Sequence, residues 1–167
     1  LALARRHGMQ PVIAGGAEAW LVATELAAAK AAVVLDPLVN LPASFDALGA
    51  RLDNAARLQR AGVVMVFSMT GLAPHFAHKV RQSAGNAVAH GMPWDAALAG
   101  LTANPAAVFG LGASRGRIET GMVADLVLWN GDPLEVTSAA DQVWVGGKPM
   151  SMRSRQTELL DRYLPQA

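Results

Sequence analysis

The polar residues Asp36 and Asn40 stand where one apolar run of the sequence gives way to a loop. The run AVVLD at 32–36 ends in Asp36, and Asn40 follows it. A carboxylate and an amide in a loop can hold a substrate through hydrogen bonds, and Arg81, farther along, can bind an anionic group. We therefore predict that Asp36, Asn40 and Arg81 bind substrate. The alternatives are that an aspartate before Pro37 simply ends a strand and that Arg81 is a solvated surface charge.

A second loop, after the apolar run at 63–69, holds a threonine and two histidines. The Thr70 hydroxyl can bind a substrate or orient a water molecule, although a hydroxyl is a much weaker base than a carboxylate. The His75 imidazole can act as a general acid or base, or as a metal ligand, because it titrates near neutral pH. We predict that Thr70 and His75 are catalytic, whereas His78 begins the next helix and suits the surface.

Three short apolar segments, 9–16, 32–36 and 63–69, are predicted to be the strands that position these loops. The segments between them are rich in helix formers. The stretch 44–62 is predicted to be an amphipathic helix, with one apolar face made of Phe45, Leu48, Leu52, Ala55, Ala56 and Leu58. Continuous apolar strands that alternate with helices indicate a parallel sheet covered by helices. The fold class predicted for this part of the chain is therefore α/β.

Helices are also predicted at about 79–90 and 93–103, before a change of pattern near residue 113. Asn104 suits the N-cap of a further short helix, with Pro105 at its first position. After residue 113, turn residues come at close spacing, and Gly146-Gly147 predicts a tight hairpin. We divide the chain at these changes of pattern, into β/α units at 1–113, strands at 114–150 and a C-terminal helix or tail at 151–167.

Composition excludes several classes of protein. Apolar residues make up 52% of the 167 and the formal net charge is +1, which argues against disorder and against binding to nucleic acid or to an anionic membrane. The chain has no cysteine, and no apolar stretch reaches the roughly 18 residues that span a bilayer. We expect a cytoplasmic protein. The opening letters LALARRHG indicate the end of a helix, so we also expect residues before Leu1.

Three segments resemble the C-terminal signature of the amidohydrolase superfamily, and most of all its imidazolonepropionase-like members: GLTANPAAVFGL, GRIETGMVADLVLWNGDPLEV and VWVGGKP. In that family a (β/α)8 TIM barrel is followed by strands of a small β-sandwich. The resemblance implies that the three predicted strands are the last three of the barrel and that 114–150 belongs to the sandwich. A whole barrel takes about 250 residues. We therefore expect the N-terminal part of the same protein, or a second copy, to cover the exposed sheet edge.

The resemblance implies a hydrolase that acts on carbon–nitrogen bonds of a small-molecule amide. The family uses a divalent metal, commonly zinc, which lowers the pKa of a bound water. Its implied ligands are a His-x-His pair on the first strand, a Lys or Glu near the fourth, a His on each of the fifth and sixth, and an Asp on the eighth. Here Gly15 or Gly16 falls where the sixth-strand His is expected, and Thr70 falls where the Asp is expected. The usual ligands are therefore not visible in this sequence.

Two alternatives stay open at this point. A relative that keeps the fold but has lost the metal chemistry would be a binding or structural protein, because a fold does not fix a function. An isolated flavodoxin-like α/β domain with a β tail is the third possibility, and the signature over 98–147 argues against it.

Overall fold

A three-stranded parallel sheet organises the first part of the molecule, in a computed structural model that describes residues 1–69 and 74–164. Its strands are β1 (Val12–Ala14), β2 (Ala32–Leu35) and β3 (Val64–Phe67), in that order across the sheet. Both neighbouring pairs are parallel. The predicted parallel arrangement is therefore confirmed, and the molecule is a mixed α/β structure.

Six α-helices accompany this sheet in the described part of the chain: α1 (Ala2–Arg6), α2 (Ala23–Ala28), α3 (Asn54–Arg60), α4 (Val80–Ala89), α5 (Trp94–Leu101) and α6 (Ala103–Val108). Short 3-10 turns lie at Ala19–Val22, Phe45–Ala47 and Pro74–Lys79. Helix α2 lies in the connection between β1 and β2, and α3 lies in the connection between β2 and β3, as crossovers between parallel strands require. Helix α1 precedes the sheet, and α4, α5 and α6 follow it.

The hydrophobic core lies between one face of the parallel sheet and these helices. Val33, Met65 and Leu58 are at most 2% exposed and belong to the same cluster of buried side chains. Side chains alternate between the two faces of a strand, and on the opposite face Val12 and Val64 are 43% and 44% exposed. The helices thus cover one face of the sheet, and the other face stays partly open.

The helix predicted over 44–62 is much shorter than expected, since the regular helix covers only Asn54–Arg60. The backbone of Gly49 explains the difference, because its N–H donates to Glu18 Oε1 and its carbonyl accepts the Trp20 Nε1–H at 2.8 Å. These bonds tie the loop to the segment after β1 and prevent a continuous helix. The predicted apolar face was wrong for three exposed residues, Phe45, Leu48 and Leu52.

The start predicted for α6 was also wrong. The N-cap position belongs to Thr102, and Asn104 lies inside the first turn. The Asn104 side chain instead donates from Nδ2 to the Met65 carbonyl of β3, at 2.9 Å. A tertiary hydrogen bond therefore uses the side chain that local sequence preference assigned to a cap.

A second sheet, antiparallel, follows and contains β4 (Leu126–Trp129), β5 (Ala140–Val145) and β6 (Lys148–Pro149). Gly146 and Gly147 join the last two strands with φ of 57° and 78°, which confirms the predicted tight hairpin. Helix α7 (Arg155–Tyr163) ends the described chain, and its N-cap Ser154 accepts the Thr157 N–H at 3.1 Å. The divisions predicted at 113 and 150 fall between α6 and β4 and after β6, and they stay predictions.

Within residues 1–69 and 74–164, no helix combines the length and the apolar character needed to cross a bilayer.

Candidate active site

The candidate site lies at the carboxyl edge of the parallel sheet, where open α/β sheets and barrels bind their ligands. Asp36 directly follows β2, and Asn40 lies in the loop beyond it. Both side chains meet helix α4, through Ser83 and Asn86. We call these four residues, Asp36, Asn40, Ser83 and Asn86, the edge cluster.

Asp36 is a buried carboxylate, and only one of its two oxygens accepts hydrogen bonds from the described chain. It is 5% exposed, and its Oδ1 accepts the Leu38 N–H at 3.0 Å and the Ser83 hydroxyl at 3.4 Å. Within residues 1–69 and 74–164, Oδ2 accepts no hydrogen bond, and no buried side-chain polar atom lacks a partner, so Oδ2 keeps some access to solvent. Asp36 thus forms the turn that ends its strand, and its Oδ2 is left without a hydrogen bond to the described chain.

Asn40 is also buried, and one side-chain hydrogen bond holds it. It is 9% exposed and donates from Nδ2 to Asn86 Oδ1 at 3.2 Å. Ser83 is 0% exposed and lies one helical turn before Asn86, so a single face of α4 reaches both loop residues. The structure therefore brings Asp36 and Asn40 together around one helix, as their shared loop predicted.

Sequence reasoning missed Ser83 and Asn86. Their signal was available, because two polar residues three positions apart interrupt the apolar face of α4, next to Ala84 and Ala87. A buried polar side chain needs a partner. The positions of Ser83 and Asn86 on the packed side of α4 therefore predict a hydrogen-bond partner for each on another helix, strand or loop.

Arg81 lies on the same helix but has different neighbours. Its guanidinium donates from Nη1 to the carbonyls of Pro133 (2.9 Å) and Glu135 (2.5 Å), and from Nη2 to that of Ser138 (2.8 Å). It also stacks over Trp129, with 4.8 Å from Cζ to the ring centroid. The structure does not bring Arg81 to the edge cluster through these contacts, and a substrate-binding role for it stays a prediction.

The two predicted catalytic residues are not described. Thr70 and the side chain of His75 lie outside the described residues. Their roles therefore stay predictions, which rest on the loop after β3.

A second polar cluster surrounds Trp20 at the same edge of the sheet. The guanidiniums of Arg51 and Arg57 lie 5.0 and 5.2 Å from its ring centroid, and both donate to Asp53, with Nε–oxygen distances of 2.7 and 2.9 Å. The hydrogen bond from Arg51, assisted by Arg57, holds the pKa of the Asp53 carboxyl far below its usual range. The Trp20 ring is thus packed in a charged cluster that fixes the loop before α3.

The described residues do not fit a divalent metal. Gly15 and Gly16, after β1, offer no ligand side chain. Asp36 offers a single carboxylate, and residues 1–69 and 74–164 contain no group of three His, Cys, Asp or Glu side chains placed to hold an ion. Glycines thus stand where the resemblance implies the sixth-strand histidine, and Thr70, at the position implied for the eighth-strand aspartate, lies outside the described residues.

Comparison with known proteins identifies the family. A model of the Amidohydrolase family matches residues 39–150, and the chain belongs to this family. The matched range contains Asn40, Ser83 and Asn86 of the edge cluster. The predicted superfamily is confirmed, while the imidazolonepropionase-like subgroup stays a prediction.

Individual relatives agree with this assignment. The amidohydrolase tasK of Hapsidospora irregularis is 47% identical over 58 residues, which are 35% of this chain and 6% of that protein. An amidohydrolase from Thermotoga maritima MSB8 has a TM-score of 0.80 at 29% identity, covering 91% of this chain. This chain spans only 39% of that structure's length.

An adenosine deaminase from Xanthomonas campestris, solved with bound zinc, has a TM-score of 0.64 at 22% identity, covering 96% of this chain and 44% of its own. At that identity the likeness concerns the fold alone.

Proposed function

We propose that this protein hydrolyses a carbon–nitrogen bond of a small-molecule amide. The observation that carries the proposal is the match of the Amidohydrolase family to residues 39–150. The position of the edge cluster supports it, because polar side chains gather at the sheet edge where α/β enzymes bind substrates. In this proposal β1, β2 and β3 are the last three strands of a TIM barrel, and the antiparallel sheet is part of a β-sandwich.

The residues of the edge cluster have distinct roles in this proposal. Asp36 accepts an N–H of the substrate at its free Oδ2, since Oδ1 is already bonded to Leu38 and Ser83. Asn40 is held by Asn86, and its Oδ1, which accepts no hydrogen bond within the described chain, is proposed to accept a hydrogen bond from a second donor of the substrate. Thr70 and His75, on the loop after β3, are proposed to orient water and to transfer the proton to the leaving nitrogen.

The remaining parts of the site come from elsewhere in the proposal. A divalent metal, when an amidohydrolase binds one, activates water at neutral pH. Since residues 1–69 and 74–164 do not supply a ligand set, its ligands would belong to other parts of the protein. The partner that completes the barrel is proposed to be the N-terminal part of the same protein or a second copy.

Hydrolysis by the full-length protein tests this function. N-acyl amino acids and dipeptides are offered, and release of the free amine is measured. We expect Asp36→Asn to raise KM about tenfold, which corresponds to the loss of one charge-assisted hydrogen bond of about 1.5 kcal/mol. Asp46→Asn is the matched control, because Asp46 is an exposed carboxylate on the same loop. Absence of amine release from every substrate would contradict the proposal.

A second candidate function is a non-catalytic protein with an amidohydrolase fold. The glycines after β1, where the resemblance implies a histidine, favour it. Metal analysis of the full-length protein separates the two candidates. Binding of the same amides without hydrolysis, in a protein that retains no zinc, would support this second function.

A further inference from the structure

Arg81 ties helix α4, which also carries Ser83 and Asn86 of the edge cluster, to the segment that connects β4 and β5. We propose that Arg81 is a positioning residue, which fixes helix α4 against the segment from Trp129 to Ser138 and thereby keeps Asp36 and Asn40 in place. We call residues 129–138 the connecting segment. The effect on catalysis rests on the proposed function, but the effect on the edge cluster does not.

The guanidinium contacts are the first support. Three carbonyls of the connecting segment, those of Pro133, Glu135 and Ser138, accept hydrogen bonds from Arg81. Hydrogen bonds from a charged donor are stronger than neutral ones, and the stack on Trp129 adds a cation–π contact. The fork of a guanidinium reaches several carbonyls at once, which a lysine ammonium cannot do in the same geometry.

A glycine allows the close approach of the two elements. A Cβ atom at Gly85 would lie 2.4 Å from the Leu134 carbonyl oxygen, so a side chain there would push α4 away from the connecting segment. The Leu134 side chain is 4% exposed and belongs to the hydrophobic core. Gly85 lies one helical turn after Arg81, so both residues present the same side of α4 to the connecting segment.

Helix α5 holds the connecting segment from a second side. The Trp94 Nε1–H donates to the Asp132 carboxylate at 2.9 Å, and the same carboxylate accepts the Leu134 N–H at 2.8 Å. The connecting segment therefore has a fixed position relative to both α4 and α5.

The edge cluster depends on the same helix. Ser83 and Asn86 lie among the same turns of α4 and hydrogen-bond to Asp36 and Asn40. A packed helix moves as a rigid element, so a shift of α4 at Arg81 also shifts Ser83 and Asn86. Through α4, the antiparallel sheet thus sets the geometry of a site on the parallel sheet.

Hydrogen exchange of the full-length protein, followed by mass spectrometry, tests the proposal without a known substrate. We expect Arg81→Gln to speed exchange about tenfold in α4 and in residues 36–41, and to leave α3 unchanged. Arg115→Gln is the matched control, since it removes the same charge from a partly exposed ion pair with Asp125. A change confined to the connecting segment would overturn the proposal.

A milder variant protects the test against misfolding. Trp94→Phe keeps an aromatic ring at a partly exposed position and removes the hydrogen bond to Asp132, and we expect a smaller exchange increase in the same two regions. If residues 36–41 exchange at the wild-type rate in Trp94→Phe although the connecting segment has loosened, the coupling is also refuted.

Kinetics separate this inference from the proposed function. With a hydrolysed amide, we expect Arg81→Gln to raise KM severalfold and Arg81→Lys to restore part of the loss, whereas general destabilisation would lower the amount of active enzyme without moving KM. Faster exchange in an inactive protein would refute the proposed function alone. Normal exchange together with normal KM in Arg81→Gln would refute this inference alone.

Discussion

The parallel and the antiparallel sheet each have three strands in the described part of the chain, and they are stabilised in different ways. Three of the four residues of β2 are buried, whereas no residue of β4, β5 or β6 is buried. The parallel sheet depends on apolar packing, which scales with buried area. The antiparallel sheet depends on its hairpin and on a few contacts outside its strands, such as Leu134 and the bonds of Arg81. Substitutions of similar size should therefore have very different effects in the two regions.

The largest difference between the two sheets is expected when one leucine is shortened to alanine in each. Leu58 is 0% exposed beneath the parallel sheet, and Leu128 of β4 is 54% exposed. We expect Leu58→Ala to lower the free energy of unfolding by about 2–5 kcal/mol, because a buried cavity is left. Leu128→Ala should cost less than about 1 kcal/mol. Urea unfolding measures both, and equal losses would contradict the comparison.

A smaller effect is expected where the two regions meet. Gly85→Ala places a methyl group 2.4 Å from the Leu134 carbonyl oxygen, so α4 or the connecting segment must shift. We expect a loss of about 1–3 kcal/mol, as for other overpacked sites, even though alanine favours helices. Gln82→Ala on the same helix is the control. If Gly85→Ala raised the free energy of unfolding, α4 and the connecting segment would not be closely packed at this position.

The smallest expected effect is the contribution of Asp53, in the loop before α3, to the stability of the fold at acid pH. Arg51 and Arg57 lower the pKa of Asp53 in the folded state from its usual value of 3.8. The unfolded chain then binds more protons, so this contribution is present above about pH 4 and is lost as the pH falls below that value. The effect is small because exposed ion pairs are screened.

Urea midpoints at pH 3 and pH 7 measure this difference. We expect the midpoint to change less with pH in Asp53→Asn than in the wild type. Arg51→Gln removes the main partner of the carboxylate and should reduce the pH dependence in the same direction. A wild-type pH dependence in both variants would show that the cluster does not stabilise the fold.

Strands, the hairpin and the end of β2 could be predicted from the sequence, because each depends on residues that are neighbours in the chain. Apolar runs predicted the three parallel strands, and Gly146-Gly147 predicted the hairpin, because a double glycine suits a turn with two positive φ angles. The strand-ending position of Asp36 followed from the run before it. In the candidate site, the sequence predicted that Asp36 and Asn40 share a loop.

The errors and omissions come from contacts between distant segments. Hydrogen bonds to Glu18 and Trp20 keep Gly49 out of the helix that its local sequence predicts. The Asn104 side chain donates to the Met65 carbonyl and does not cap its own helix. Arg81 lies in a sequence pattern typical of a solvated helix, yet its hydrogen-bond partners lie more than fifty residues away. No local preference encodes such partners, so the helix that holds Asp36 and Asn40 could not be predicted to meet the second sheet.

The hydrogen bond from Asn104 to β3 has a consequence for self-association. Ser68 donates toward β2, and successive backbone groups of a strand point to opposite sides, so the Met65 carbonyl points to the outer border of β3. Unprotected strand borders recruit foreign strands and seed aggregates. Asn104 already occupies one backbone acceptor on this border, so a strand from another molecule could not form a continuous row of hydrogen bonds with β3. We therefore expect Asn104→Ala to precipitate more readily than the wild type during refolding.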